Sequence, residues 1–339
     1  MSDFAKNLLT WFRHNGRKAL PWQQDHDPYK VWVSEIMLQQ TQVRTVIPYF
    51  ERFLQAFPTI HDLADAPLND VLTHWAGLGY YARARNLHKT ANIIARDYKG
   101  KFPKKLQTLV EMPGLGRSTA SAILAIAFRQ PLPILDGNVK RVLTRYFGIN
   151  GHPGDKKIEM HLWEKAEQLM PTKEIPSYTQ ATMDLGAMIC TPKSPSCFLC
   201  PMQKSCVAFK EGTTAEIPAP KPKVHYPTKT AFFLILTDGN GIYLEQRPQK
   251  GIWGGLWCLP EFNRFEDLRQ WCSLKRQTFE VLEERMHLFT HYRLRFTPAL
   301  IKNKALRNLT PFSELKNYGL PAPIKRLLDD LKDGLIAEL

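Results

Sequence analysis

Long hydrophobic runs are absent from the 339-residue sequence. The longest uncharged segment of its first half, residues 118–128, is too short to cross a bilayer, and residues 1–16 have no apolar core of the secretion-signal type. We therefore expect a cytoplasmic protein without a membrane partner. Cysteine is scarce as well, with six residues, and in a reducing compartment this favours metal ligands or buried thiols over disulfides.

Acidic residues are also fewer than basic residues. The chain has 32 Asp and Glu against 46 Lys and Arg, a net charge of +14 and a sequence pI of about 9.5. Such an excess favours a polyanionic partner, of which nucleic acid is the commonest, and so points to a nucleoid-associated protein. A basic protein without such a partner is the alternative.

The chain is long enough for two domains, and its patterning changes along its length. Residues 1–210 show apolar positions at helical spacing. Residues 211–229 are rich in proline and lysine and predict an extended, semi-rigid linker. Residues 230–339 mix strand and helix patterns, which predicts a small α/β domain.

Within this C-terminal domain the pattern predicts particular elements. Residues 232–236 and 242–244 flank a turn and predict a hairpin. Residues 288–296 predict a continuous strand with one apolar face, and residues 324–331 predict an amphipathic helix.

Four of the six cysteines lie close together in the spacing C-x6-C-x2-C-x5-C. Four thiolates this close along the chain can surround a zinc ion or a [4Fe-4S] cluster. Zinc sites usually pair neighbouring cysteines at both ends, whereas here only the middle two are close, so the spacing leans toward the cluster and leaves zinc open. The cysteines are Cys190, Cys197, Cys200 and Cys206.

Residues 105–127 predict two helices joined by a tight glycine turn. The glycines let the backbone approach another molecule closely, and the free amides that begin the second helix can point at a phosphate. Nine Lys or Arg residues within residues 83–117 would support a sequence-independent grip on DNA. A plain helical hairpin is the alternative. The residues expected to face DNA here are Gly114, Gly116, Arg117 and Ser118.

Two carboxylates, those of Glu35 and Asp136, are candidate catalytic groups. Glu35 is the only ionisable residue from Val31 to Val43, so its carboxyl should lose solvation and its pKa should rise, as a general acid near neutral pH requires. Asp136 precedes a predicted helix, where an N-cap would hold it rigidly. The alternatives are a glutamate paired with an arginine and an aspartate that only caps its helix.

Several segments together resemble MutY-type adenine DNA glycosylases, which belong to the helix-hairpin-helix superfamily and are related to endonuclease III. The resemblance implies a mainly α helix-hairpin-helix DNA glycosylase fold with a [4Fe-4S] loop over residues 190–206. A small α/β Nudix-like C-terminal domain would follow. The segments are residues 33–42, 77–86, 112–119 and 135–141, together with the four cysteines.

The resemblance also implies an activity. The protein would act as a monomer on double-stranded DNA, hydrolysing the N-glycosidic bond of adenine mispaired with 8-oxoguanine or guanine. Glu35 would protonate N7 of the flipped adenine, Asp136 would stabilise the oxocarbenium-like sugar, and Asn138 would help to orient these groups. Gln40 and Tyr80 match residues that insert into the duplex.

Ser118 and the C-terminal domain refine this expectation. The related bifunctional enzymes place a lysine at the position of Ser118, and a serine cannot form their Schiff base, so we expect a monofunctional glycosylase. Residues 251–261 resemble a Nudix segment, but the following helix lacks the glutamates that bind magnesium. The domain should therefore not hydrolyse nucleotides. The resemblance implies that it recognises 8-oxoguanine, because Phe289, Thr290 and His291 match the loop that this family uses to sense that base.

Three other functions are alternatives to this one. An endonuclease III-like glycosylase/lyase for oxidised pyrimidines is disfavoured by Ser118 and by the additional C-terminal domain. A non-catalytic iron–sulfur protein that binds damaged DNA is disfavoured by the isolated Glu35. A zinc-stabilised transcription factor would be colourless, whereas a [4Fe-4S] protein is brown.

Overall fold

A computed structural model describes residues 1–221, 226–289 and 292–337, and the chain divides into two compact units. The helical unit comprises Met1–Asp65 and Asn86–Pro222, and the sheet unit comprises Ala66–Arg85 and Lys223–Leu339. A short piece of the N-terminal half therefore packs with the C-terminal third.

Helices account for nearly all regular structure before residue 211. Their bounds are α1 (Asp3–Asn15), α2 (Pro28–Leu38), α3 (Val43–Ala56), α4 (Ile60–Asp65), α5 (Leu68–Trp75), α6 (Ala82–Tyr98), α7 (Leu106–Val110), α8 (Arg117–Phe128), α9 (Gly137–Phe147), α10 (Lys156–Leu169), α11 (Ile175–Asp184) and α12 (Val207–Lys210). A π-helical turn, Leu185–Ile189, continues α11. Of these helices, α5 lies in the sheet unit and α6 begins there.

The uncharged segment 118–128 becomes the core helix of the helical unit. α8 packs against α2, α7 and α11, and its residues from Ala120 to Ile126 are all buried. A helix that is apolar on every side must be covered on every side, which explains the absence of charge. In the described part of the chain, no helix has the length and apolar character needed to span a membrane.

A second core joins α1, α9, α10 and α11 beside α8. It is built from large apolar side chains that these helices turn toward one another. Its buried members include Phe4, Leu8, Val139, Leu162 and Tyr178.

The predicted linker is partly packed onto the helical unit. Ile217 is only 3% exposed, and its carbonyl oxygen accepts a hydrogen bond of 2.7 Å from Nε of the buried Arg145. The amide of Ala219 donates to the carbonyl oxygen of Gly151 at 3.1 Å. These contacts place the first half of the linker beside α9 rather than in an extended spacer.

The sheet unit is organised around two long parallel strands. The strands are β1 (Thr228–Thr237), β2 (Gly241–Ile242), β3 (Glu245–Gln246), β4 (Trp257–Cys258), β5 (Glu261–Phe262), β6 (Glu280–Val281), β7 (Arg285–Leu288), β8 (Arg293–Lys302) and β9 (Thr310–Pro311), with helices α13 (Phe265–Leu274) and α14 (Ala322–Ala337). β1 and β8 pair in parallel from Thr228↔Arg293 to Thr237↔Lys302, in the order β6-β8-β1-β2-β9. The mixed sheet and its helices confirm the predicted small domain of mixed structure.

The predicted hairpin is confirmed, but the continuous strand is wrong. β1 and β2 are antiparallel partners across Thr237↔Ile242. The segment 288–296 instead reverses direction, because β7 ends at Leu288 and pairs antiparallel with β8, which begins at Arg293. Leu288 is 65% exposed whereas Phe296 is 1% exposed, so the apolar face does not continue across the turn.

Segment 66–85 is anchored in the sheet unit by specific contacts. The indole Nε1 of Trp257 donates to Oδ1 of Asn69 at 2.8 Å, and the Tyr81 hydroxyl donates to the carbonyl oxygen of Leu320 at 3.4 Å. The loop after α5 is therefore supported by residues that lie far away in sequence.

Candidate active site and cysteine loop

The two predicted carboxylates meet in one cavity of the helical unit. This cavity has a volume of about 630 Å³ and receives Glu35 from α2 and Asp136 from the start of α9. Asn138 and Ser118 line it as well, so the structure brings together four predicted residues from three separate segments of the sequence. Further lining residues that the sequence did not single out are Arg17, Trp22, Leu38, Gln180 and Met183.

Glu35 sits in an apolar environment. Its neighbours along α2, Ser34 and Ile36, are buried, and only the cavity side of the helix remains open. Loss of solvation, together with repulsion from Asp136, raises the pKa of Glu35 to about 8. The rise predicted from the sequence is confirmed, and the carboxyl is largely protonated at neutral pH.

Asp136 occupies the predicted N-cap of α9. Its Oδ1 accepts a hydrogen bond of 2.7 Å from the amide of Val139, and the Asn138 side-chain amide donates to Oδ2 at 3.4 Å. Burial raises the pKa of Asp136, while the hydrogen bonds from Val139 and Asn138 act in the opposite direction. The cap therefore fixes the orientation of this carboxylate and favours its charged form.

Arg141 connects this carboxylate region to the cysteine loop. Its Nη2 donates to Oδ1 of Asn138 at 2.9 Å and to the carbonyl oxygen of Gly186 at 2.6 Å, and its Nε donates to the carbonyl oxygen of Cys190 at 2.6 Å. A Cβ at Gly186 would lie 2.6 Å from Cβ of Asn138, so glycine permits the close approach. One guanidinium thus fixes both the asparagine and the first cysteine's backbone.

A buried ion pair forms one wall of the cavity and was missed by sequence reasoning. Asp184 is fully buried and accepts hydrogen bonds from Arg17 Nη2 at 2.6 Å, Arg17 Nε at 2.9 Å and Gln180 Nε2 at 2.9 Å. These contacts hold the Arg17 and Gln180 side chains beside the cavity. Asp184 is separated from Arg17 by most of the helical half, so no local pattern could have revealed the pair.

The predicted hairpin has the expected geometry. Gly114 has φ +79°, and a Cβ there would approach Cβ of Asn86 to 2.9 Å, while a Cβ at Gly116 would meet nothing within 4 Å. Gly116 is the N-cap of α8, and no side chain caps that helix. The first amides of α8 are therefore open to an acceptor from outside.

Two residues of this hairpin already have partners. Arg117 forms an ion pair of 2.6 Å with Glu167 and stacks over Trp163 at 4.0 Å from the ring centroid. The Ser118 hydroxyl accepts a hydrogen bond of 3.0 Å from the amide of Leu135. Ser118 thereby supports the segment that leads into Asp136.

Gln40 and Tyr80 share a distinctive backbone conformation. Gln40 has φ +59° and Tyr80 has φ +50°, a region that non-glycine residues seldom adopt. Gln40 is exposed, and Tyr80 remains 42% exposed despite its large ring. Both side chains are displayed on tight turns rather than packed into a core.

The four predicted cysteines line one small cavity of the helical unit. Arg145 Nη1 donates to Sγ of Cys190 at 3.4 Å and to the carbonyl oxygen of Thr191 at 2.7 Å. Burial raises the pKa of Cys200 to about 12, so a thiolate would need a cation to form there. Within the described ranges, no group of three or more His, Cys, Asp or Glu side chains is arranged to hold a metal ion.

Phe289 of the sheet unit lies in an aromatic stack. Its ring is parallel to that of Tyr292 at 4.5 Å and tilted against Trp253 at 5.5 Å. The stack fixes the end of the β7–β8 turn. The other two residues of this prediction, Thr290 and His291, lie outside the described residues.

Comparisons with known proteins agree with this architecture. Residues 33–168 match the family model of HhH-GPD superfamily base excision DNA repair proteins, and residues 231–330 match that of the NUDIX domain. A solved thermostable thymine-DNA glycosylase superposes with a TM-score of 0.55 at 28% identity, covering 61% of this chain and 95% of its own. Endonuclease III in a non-covalent DNA complex, at 22% identity and TM-score 0.53, covers 62% of this chain and 98% of its own, and shows the fold alone.

Fold and cavity thus define a DNA glycosylase of the helix-hairpin-helix class that carries a Nudix-like C-terminal domain. An adenine DNA glycosylase of Buchnera aphidicola subsp. Schizaphis graminum is 40% identical over 342 residues, covering 97% of this chain and 99% of the relative. The human adenine DNA glycosylase is 33% identical over 377 residues, covering 92% of this chain and 68% of the relative. The chain belongs to the adenine DNA glycosylase family, and it hydrolyses the N-glycosidic bond of adenine in base excision repair.

The raised pKa of Glu35 predicts a pH-dependent stability effect. In the unfolded chain a glutamate ionises near its ordinary value of 4.5, whereas the folded protein holds Glu35 neutral up to about 8, so folding loses stability between these pH values. Glu35→Gln cannot ionise and should unfold at higher urea than the wild type at about pH 8.5, with little difference at about pH 4. Glu51→Gln, an exposed position on α3, should show no such trend. Equal midpoints at the higher pH would contradict the assignment.

Proposed function

We propose that the cavity accepts an adenine flipped out of a mispair with 8-oxoguanine or guanine, and that Glu35 donates a proton to its N7. Protonation turns adenine into a good leaving group, which is the difficult part of breaking an N-glycosidic bond. The observation that carries the proposal is the Glu35 carboxyl, whose pKa of about 8 keeps its proton available at neutral pH.

Asp136 takes the complementary role in this proposal. As adenine departs, positive charge develops on the sugar, and a fixed carboxylate stabilises it electrostatically. The Val139 amide and the Asn138 side chain support the charged form of Asp136, and Arg141 in turn holds Asn138. Asn138 is then a positioning residue that keeps the carboxylate aimed at the sugar.

The DNA duplex is held by backbone and side chains together. The open amides at the start of α8, with Gly114 and Gly116 in the turn before them, suit a phosphate. Arg117 would add positive charge there, although its guanidinium also forms an ion pair with Glu167. Gln40 and Tyr80 insert at the mispair, which offsets part of the cost of flipping adenine out of the stack.

The sheet unit recognises the opposite base in this proposal. Phe289 is fixed by Tyr292 and Trp253 after the end of β7, and it would contact 8-oxoguanine. Thr290 and His291 are assigned to the same recognition on their sequence alone. The helix that follows the Nudix-like segment, α13, has Glu266 and Asp267 in its first turn and no glutamate-rich series after them. In this proposal the domain therefore recognises a base and does not hydrolyse nucleotides.

The cysteine cavity suits a [4Fe-4S] cluster held by Cys190, Cys197, Cys200 and Cys206. The donor set is four thiols with a buried guanidinium donating to one of them, which fits a cluster whose thiolates and sulfides carry negative charge. When bound, the cluster would cross-link the loop after α11, whose first residue is tied to Arg141. Its contribution in this proposal is to the fold of the loop, and the proton transfer remains with Glu35.

Excision assays on matched duplexes test the catalytic assignment. Duplexes carrying adenine opposite 8-oxoguanine, guanine or thymine are incubated in single turnover and then treated with alkali to reveal abasic sites. The wild type should cut opposite 8-oxoguanine and guanine but little opposite thymine, and its rate should fall as pH rises through about 8, because Glu35 must be protonated. Glu35→Gln should lower the rate by about 100-fold or more while retaining duplex binding, and Glu51→Gln should cut normally. A Glu35→Gln variant that releases adenine at the wild-type rate would refute the proposal.

Ser118 predicts that the strand stays intact after excision. A lysine nucleophile would leave a Schiff base that borohydride reduces to a permanent protein–DNA bond, whereas a serine hydroxyl forms none. We expect no borohydride-trapped complex and no strand break before alkali, measured on denaturing gels beside a known lyase. Efficient trapping would show that another amine attacks the sugar.

Metal analysis decides between the cluster and zinc. Anaerobically purified protein should be brown and contain about four iron atoms and about four sulfides per chain. Cys200→Ser should lower the iron content, while Cys272→Ser, a buried cysteine of the sheet unit, should leave it unchanged. Colourless protein with zinc and no iron would establish the alternative.

A further inference from the structure

The turn that displays Tyr80 has an unusual backbone. Gly77 has φ +103°, Gly79 has φ +72° and Tyr80 has φ +50°, so three of four successive residues lie in the left-handed half of conformational space. Glycine adopts such angles freely, but tyrosine does so only when its surroundings enforce it. Something in the described structure must therefore hold this turn in shape before DNA arrives.

Arg83, in the first turn of α6, stabilises the backbone of this turn. Its Nη2 donates to the carbonyl oxygens of both Leu78 and Gly79, each at 3.2 Å. The guanidinium carbon lies 5.4 Å from the centroid of the Trp75 ring and 5.5 Å from that of Tyr80. One cation thus bonds to the backbone of the turn and contacts the aromatic ring that the turn displays.

A second donor acts on the same carbonyl. The indole Nε1 of Trp75 donates to the carbonyl oxygen of Gly79 at 3.2 Å, and the amide of Gly77 donates to the Tyr81 hydroxyl at 3.4 Å. Trp75 is fully buried at the end of α5, so its indole is a rigid support. The Gly79 carbonyl is therefore fixed from two directions.

Arg83 is not available to DNA phosphates. It is one of the nine basic residues in segment 83–117, yet only 9% of it is exposed. Burial lowers the pKa of Arg83 to about 10, which still leaves it charged at neutral pH. A buried arginine with two backbone acceptors and two aromatic neighbours serves the local structure.

We infer that Arg83 is a positioning residue that preorganises the turn 77–80, so that Tyr80 meets the duplex already in its inserting conformation. The inference rests on the insertion role proposed for Tyr80. Without the clamp, the backbone of Tyr80 would relax to commoner angles, and the turn would have to be ordered again each time DNA binds. Preorganisation removes that entropic cost from the step that opens the base stack.

A double-mutant cycle tests the inference. Arg83→Lys keeps the positive charge but replaces the planar fork with a point donor that cannot serve both carbonyls equally. Four proteins are compared: the wild type, Arg83→Lys, Tyr80→Ala and the double variant. The readouts are the single-turnover excision rate and the fluorescence of 2-aminopurine placed beside the mispaired adenine, which brightens as the stack opens.

The inference predicts that the effect of replacing Arg83 becomes small once Tyr80 has been replaced by alanine. Arg83→Lys should slow excision and opening by about tenfold when Tyr80 is present and by less than about twofold in the Tyr80→Ala background. Arg13→Lys, on α1 with a side chain 59% exposed and outside segment 83–117, should change neither readout. Thermal melting should show that the variants compared remain folded.

Each other outcome has a distinct meaning. If Tyr80→Ala slows excision but Arg83→Lys has the same effect in both backgrounds, the clamp is overturned and the insertion role stands. If Tyr80→Ala changes nothing, the insertion role fails and the clamp fails with it. If Arg83→Lys does not fold, Trp75→Phe takes its place in the cycle, since it keeps an aromatic ring but removes the indole donor to Gly79, and additivity with Tyr80→Ala would again overturn the clamp.

Discussion

The chemistry proposed for this protein depends on keeping a carboxylic acid away from water. Glu35 lies on a helix whose neighbouring residues 31–34 and 36–37 are buried, and it lines a cavity that also holds Asp136. Desolvation and mutual repulsion keep the proton on Glu35, while hydrogen bonds from the start of α9 favour charge on Asp136. Two carboxyl groups in one cavity thereby have different surroundings, which suit the proposed roles of Glu35 as an acid and Asp136 as an anion.

The rest of the helical unit keeps the surroundings of Glu35 and Asp136 different. The buried helix α8 supports α2 on one side and supplies Ser118, whose hydroxyl supports the segment before Asp136. On the other side, Arg141 links Asn138 to the cysteine loop. Damage to that loop would therefore reach the cavity through hydrogen bonds to the backbone, without any cysteine contacting the substrate.

Local patterns in the sequence predicted much of this arrangement. The isolation of Glu35, the cap at Asp136, the start of α8 and the spacing of the cysteines are each visible in a short continuous stretch, the longest of them residues 190–206. Contacts between distant segments left no local signal, as with the Asp184 ion pair to Arg17. The continuous strand predicted over residues 288–296 is wrong because the alternation of apolar residues continues along the sequence between β7 and β8, although these strands pair antiparallel.

The two compact units do not follow the order of the chain. Segment 66–85, which carries Tyr80, shares its core with the Nudix-like domain through contacts such as Asn69 with Trp257 and Tyr81 with Leu320. A truncation that removes the C-terminal third would therefore strip this insert of its support. Any loss of activity in such a fragment would combine two effects, removal of the proposed reader of the opposite base and loss of the contacts that support the Tyr80 turn, which only point substitutions can separate.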